Sequence, residues 1–110
     1  MADVFYIKSG DQAPGLGALL QYADGTAQDL TGATVVFNMR LKGSVTPKVD
    51  EQAVTLVTLL TGEVLYNWSA ADTDTPGTYE GEFAVTLPDT RTVTFPNDGY
   101  IPIEITAEVS

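Results

Sequence analysis

Between turns built from Gly, Asp, Asn, Thr and Pro, the apolar residues of this chain recur at every second position. That is the period at which successive side chains of an extended backbone point to opposite faces of a sheet. The clearest run opens at Ala33, where Ala33, Val35, Phe37 and Met39 share one face while Thr34, Asn38 and Arg40 take the other. An amphipathic helix would need apolar residues three and four apart, and no segment keeps that spacing for long. The chain is therefore expected to be all-β.

The same reading sets out the other elements. A first strand is expected over Val4 to Lys8, a Gly- and Pro-broken loop over Ser9 to Gly17, and a second strand over Ala18 to Tyr22. Asp24-Gly25 supplies a dipeptide that tolerates positive φ, and a polar excursion ends at Thr31-Gly32. The stretch Leu41 to Asp50, with Lys42, Gly43, Pro47 and Lys48 next to Arg40, reads as an exposed loop and the one basic spot of the chain. Thr61-Gly62-Glu63 turns the chain into a strand in which Val64, Tyr66 and Trp68 alternate with Leu65 and Asn67. From Tyr79 to Leu87, Tyr79, Phe83, Val85 and Leu87 form an apolar face with Gly81 in register, and Glu80, Glu82 and Thr86 form the wet one. A short strand over Thr92 to Phe95 follows, then one in which Ile101, Ile103 and Ile105 alternate with Pro102, Glu104 and Thr106; a proline inside it predicts an edge position.

Seven to nine short strands in 110 residues make one domain, 1–110, built as a sandwich or small barrel. The Asp74-x-x-Gly77-x-Tyr79 arrangement resembles a tyrosine corner, in which a phenol at a strand start returns its hydroxyl to nearby backbone. It favours an immunoglobulin-like antiparallel β-sandwich; the alternative is a tyrosine at an ordinary strand start. Phe37, Trp68 and Tyr79 are the expected core anchors. With no cysteine in the chain, stability has to come from packing and hydrogen bonding without disulfides.

Chemistry is restricted by what is missing. The chain contains neither histidine nor cysteine, which removes the commonest general base, the thiolate nucleophile and the preferred transition-metal ligands. Without a histidine, Ser9, Ser44 and Ser69 lack an activating base, and Lys8, Lys42 and Lys48 fall at strand ends or in loops instead of a buried position. Asp72 and Asp74, with Thr73 and Thr75, place oxygens at alternate positions, but the further ligands and bidentate Glu of a calcium loop do not follow, so a solvated turn is expected. Glu80 and Glu82 project from one face about 7 Å apart by strand rise, and paired carboxylates can cleave glycosidic bonds. No apolar neighbour or aromatic groove accompanies them, and they read as exposed solubilising charges. Gly10, Gly15 and Gly17 precede no helix and imply no phosphate cradle. The expectation is a non-enzyme with no catalytic, cofactor-binding or metal residue, no cofactor and no small-molecule substrate.

A formal net charge of -10 repels a phosphate backbone, so nucleic acid is not an expected partner. No apolar run is long enough for a membrane helix, and MADVFYIKSGDQ lacks the pattern of a signal peptide, which predicts synthesis in the cytoplasm and no membrane partner. In AVTLVTLL, from Ala53 to Leu60, six of eight residues are apolar and both faces of the pleat carry large ones. Val57 and Leu59 fall on one face, Val54, Leu56 and Leu60 on the other. A sandwich needs only one apolar face per sheet, so the second face must be covered, either by the Leu41 to Asp50 loop folding back or by another protein. Val54, Leu56, Val57, Leu59 and Leu60 are the candidate interface.

Three stretches together, VFYIKSGDQAPGL, DGTAQDLTGATVVFNMR and GEVLYNWSAADTDTPGTYEGEFAVTLPDTRTVTFPNDGYIPIEI, resemble the immunoglobulin-like N-terminal domain of bacteriophage baseplate upper proteins and related virion modules. TGATVVFNMR and DTDTPGTYEGEF are the most distinctive pieces. The resemblance implies a structural protein of a tailed-phage particle, in tail or baseplate, neck or head surface, that docks on a ring or shell and can anchor a fibre or receptor-binding part. It implies a virion location, other virion proteins and copies of the same chain as partners, and no inherited catalytic residue. The rival is a carbohydrate- or cell-surface-binding sandwich with Tyr22, Tyr66 or Tyr100 as its platform.

Overall fold

The structure, a computed structural model that describes residues 4–109, is a β-sandwich of nine strands with no helix among the described residues. In chain order the strands are β1 (Phe5–Lys8), β2 (Leu16–Leu19), β3 (Thr34–Leu41), β4 (Pro47–Ala53), β5 (Thr55–Thr58), β6 (Glu63–Tyr66), β7 (Gly77–Thr86), β8 (Thr92–Phe95) and β9 (Ile101–Thr106). The larger sheet has the order β1-β9-β7-β3-β4, with β8 pairing the second half of β7, and the smaller has the order β2-β6-β5. All pairings are antiparallel except β1 with β9. Consecutive strands change sheets four times, between β1 and β2, β2 and β3, β4 and β5, and β6 and β7, as in a β-sandwich.

The alternation from Ala33 has the expected consequence: Val35, Phe37 and Met39 are buried, and they lie opposite Val85, Phe83 and Gly81 of β7. From the smaller sheet Val64 and Tyr66 face them, with Trp68 following β6. The Phe37 ring lies 4.5 Å from Tyr66, 5.1 Å from Phe83 and 5.7 Å from Trp68, the last edge-on. These separations are the range in which aromatic pairs attract beyond their buried area. Gly81 makes the space, because a Cβ there would come within 2.8 Å of Ile103 Cδ1 and 3.1 Å of the Phe37 ring. The corner is present too: Tyr79 is buried and its hydroxyl donates to the Thr75 carbonyl at 2.8 Å.

Several boundaries differ from the sequence reading, each for a local reason. The second strand starts at Leu16, because Leu16, Ala18 and Leu20 turn inward and Gly17 is a strand residue pairing Leu65. Leu41 to Asp50 is not one exposed loop: from Pro47 it belongs to β4, where Val49 is buried opposite Met39. An edge strand facing water on its outer side needs few apolar residues, which made PKVDEQA look like a loop. Ala53 to Leu60 is likewise not one strand. Ala53 ends β4 opposite Val36 in the larger sheet, Val54 crosses, and β5 holds only Thr55–Thr58 in the smaller one. The last strand is not an edge, since β9 lies between β1 and β7. Pro102 is accommodated because β1 covers β9 only from Ile103 onward.

Asp72 and Asp74 do not converge on a common point. Asp72 is buried and accepts from the Tyr66 hydroxyl at 2.5 Å and from the Ser69 amide at 2.9 Å, whereas Asp74 is exposed and pairs with Lys48. The segment between β6 and β7 is pinned further by Thr73 Oγ1 donating to the Asp11 carbonyl and by the Gly10 amide donating to the Thr73 carbonyl.

Two outcomes follow. Phe37→Ala or Trp68→Ala should each cost about 3 to 5 kcal/mol, read as a lowered midpoint of chemical denaturation; an unchanged midpoint for Trp68→Ala contradicts its place among the rings. Burial first, and then the Asp72 carboxylate, raises the Tyr66 phenol above its ordinary 10.0, and burial raises Tyr79 as well. The folded form thus holds these protons to higher pH than the unfolded chain does. Their contribution is complete below pH 10 and is lost as pH rises above it. Stability measured against pH should fall above 10, and less steeply in Tyr66→Phe.

Candidate functional site

Among the described residues each end strand of the smaller sheet has one bonded neighbour, and β5 is held by β6, with Thr55 opposite Leu65 and Leu56 opposite Val64. Because Val64 is fully buried, Leu56 on the same face turns inward and packs half-buried on the core, as does Val54. Val57 then points outward and is 50% exposed. A register shift between Leu56 and Thr58 ends the strand, and Thr58 Oγ1 donates to Glu63 Oε1 at 3.0 Å. Leu59 and Leu60 lie in the turn beyond. The Leu59 carbonyl accepts from the Leu30 and Gly62 amides, and Leu60 is 72% exposed.

The candidate interface residues are thus divided. Val54 and Leu56 serve the core, whereas Val57, Leu59 and Leu60 are exposed; Leu60 stands with the exposed group and not with Val54 and Leu56, because the chain has left the strand before reaching it. The chain does not cover this face with Leu41 to Asp50: β4 pairs β3 at the edge of the other sheet, and Val45 and Pro47 border a depression on that sheet's outer side. Sequence reasoning missed Leu19, 56% exposed opposite Glu63, and half-buried Leu65. Alternation already set Leu19 on the face opposite Ala18 and Leu20; its exposure depends on the absence of a covering layer.

This outer face carries Leu19, Leu65 and Val57 with a single acid, Glu63. The outer face of the larger sheet is charged. Arg40 there donates from Nε to Glu80 Oε1 at 3.0 Å and from Nη2 to the Tyr100 hydroxyl at 2.9 Å, and its guanidinium lies 4.9 Å from the Tyr100 ring centre. The bond to Glu80 is the main cause holding the guanidinium above its ordinary range. Beside it, Asn38, Glu82, Val45 and Pro47 help to line a shallow depression of about 180 Å³. Glu80 and Glu82 are half-buried, not freely exposed as expected, because β7 is an inner strand of the sheet. With Glu80 engaged by Arg40, the two carboxylates do not form a free acid–base pair. Asn38 is also engaged, its Oδ1 accepting from the Glu51 amide at 2.7 Å, where an extra residue in β4 puts Glu51 at φ 48°.

Of the tyrosines proposed as a sugar platform, Tyr66 is buried, which removes it. Tyr22 packs edge-on against Phe95 and bonds Gln28, and Tyr100 is occupied by Arg40. No group of three or more Asp or Glu residues is placed to hold a metal ion among the described residues, and no helix is long and apolar enough to cross a membrane. No protein-family model matches the chain, and no curated protein matches it.

The division of the strip is testable by substitution. Leu56→Asp should lower stability by about 2 to 4 kcal/mol, since it sets an unpaired charge against the core. Val57→Asp and Leu60→Asp should each stay within about 0.5 kcal/mol of wild type, as solvated surface changes do. Denaturation midpoints of the three variants decide it.

Proposed function

We propose that this domain is a structural module of a tailed-phage particle and that it works by protein–protein contact through the outer face of its smaller sheet. The observation that carries the contact is the exposed apolar set Leu19, Val57, Leu59 and Leu60, on the least charged face of a chain whose net charge is -10. Like-charge repulsion makes the acidic surfaces poor places for an acidic neighbour to approach, whereas a nearly uncharged apolar face gains from leaving water. A standard interface would bury about 800 Å² on each partner. The assignment to a phage particle comes from the sequence resemblance, and the reading needs no catalytic group. Docked on a ring or shell, such a domain can present whatever is attached to it.

Incorporation is the test. A tagged copy supplied to cells producing the phage should be recovered with purified particles. Val57→Asp combined with Leu60→Asp should reduce recovery about tenfold while the variant remains a folded monomer. Recovery of the double variant at the wild-type level refutes the contact surface. Absence of the wild-type chain from purified particles, or a locus among metabolic or secretion genes, refutes the virion role.

A further inference from the structure

The opposite edge of the smaller sheet offers a second and different site. Within β2 and its extension, Leu20 donates from its amide to the Gly62 carbonyl and accepts at its own carbonyl from Gln28, and the Tyr22 amide donates to Thr26. In an antiparallel ladder alternate residues bond the same neighbour. The amides and carbonyls of Gly17, Leu19 and Gln21 therefore point to the other side, where β2 has no neighbouring strand among the described residues. Directly under that edge the two sheets stand apart around a groove of about 160 Å³, lined by Ala18 and Leu19 from β2 and by Phe83, Phe95, Pro96 and Ile101 from the larger sheet. A cavity near 150 Å³ lined by apolar groups accepts a benzene-sized molecule, so this one has room for a large apolar side chain.

We infer that the β2 edge is a docking site for an extended segment of another protein, one that adds a strand beside Leu16–Leu19 and inserts an apolar side chain between the sheets. The free edge and the groove specify the same ligand. Strand addition takes its affinity from main-chain hydrogen bonds and its selectivity from pockets that receive alternate side chains. Edge strands that are closed to this use carry charges, bulges or prolines. β4 is such an edge, with Lys48, Asp50, Glu51 and a bulge, while Leu-Gly-Ala-Leu of β2 has none of these. The strongly acidic chain selects the rest of the partner's chemistry: lysine or arginine flanking the apolar positions is attracted, and a second copy of this chain is repelled. The site shares Leu19 with the proposed contact face but includes neither Val57 nor Leu60.

The probe is the blocked peptide Lys-Thr-Val-Thr-Leu-Thr-Val-Lys, added at millimolar concentration to the full chain, with amide hydrogen exchange followed residue by residue. Binding at the edge should slow exchange at Leu19 and Gln21 at least about tenfold, the protection expected when an open amide enters a ladder. Leu19→Pro removes a donor that faces away from the sheet, a position where proline is tolerated, and should abolish the protection while leaving the melting temperature near wild type. Ala18→Leu should abolish it independently by filling the groove, and it decides the matter if Leu19→Pro does not fold. Leu60→Asp should bind the peptide as wild type does, which keeps this result distinct from that of the proposed contact face. Unchanged exchange, protection confined to other strands, or protection already present without peptide in a chain that elutes as a dimer each overturns the inference.

Discussion

The ring of Phe37 is the contact through which the two sheets hold each other. It rises from the middle of β3 in the larger sheet, meets Tyr66 and Trp68 from the smaller one, and lies against Phe83 on the neighbouring strand. Everything that orients those rings depends on small residues and polar anchors around them. Gly81 leaves the volume the ring needs, Asp72 fixes the far end of Tyr66, and the Tyr79 hydroxyl ties the connection between β6 and β7 to the start of β7. In a chain without cysteine no covalent bridge joins the sheets, so their spacing rests on this packing.

Around that core the charges are unevenly spread. Arg40, Lys48 and Arg91 each pair with an acid, to Glu80, Asp74 and Asp89 respectively, which leaves most of the acidic surface uncompensated. Arg91–Asp89 is exposed and of small individual worth, while Arg40–Glu80 is part-buried. Their effect is on association: the larger sheet turns a polar, acidic face to its surroundings, and the smaller sheet turns a nearly neutral apolar one. The β4 edge of the larger sheet is charged and bulged, whereas β2 and β5 of the smaller sheet carry no charge. Both proposed contacts lie on the smaller sheet.

Much of the fold was readable from residue order. The alternation in β3, β6, β7 and β9 identified the buried set, and the spacing of Asp74, Gly77 and Tyr79 identified the corner. The reading failed where a strand's environment departs from one dry face and one wet face. β4 has only Val49 as a deeply buried side chain, so its polar sequence hid a strand; AVTLVTLL passes from one sheet to the other and then into a turn, so its apolar run concealed two boundaries. Of the candidate interface, the apolar character of Val57, Leu59 and Leu60 was legible and their exposure was not. Leu19 was missed because alternation sets it on the face opposite Ala18 and Leu20 without telling whether anything covers that face.

The amino-acid sequence by itself determined that this protein is a β-sandwich with an aromatic core, strongly acidic and lacking the histidine and cysteine on which much side-chain catalysis relies. Those properties follow from composition and a period of two, which are local. Only the tertiary structure decided which apolar residues remain in contact with water and which edges lack a neighbour. Exposure depends on what other parts of the chain cover a position, and no local pattern contains that information: Leu56 and Val57 are adjacent and equally apolar, yet one packs on the core and the other faces solvent because β5 pairs β6 in one register.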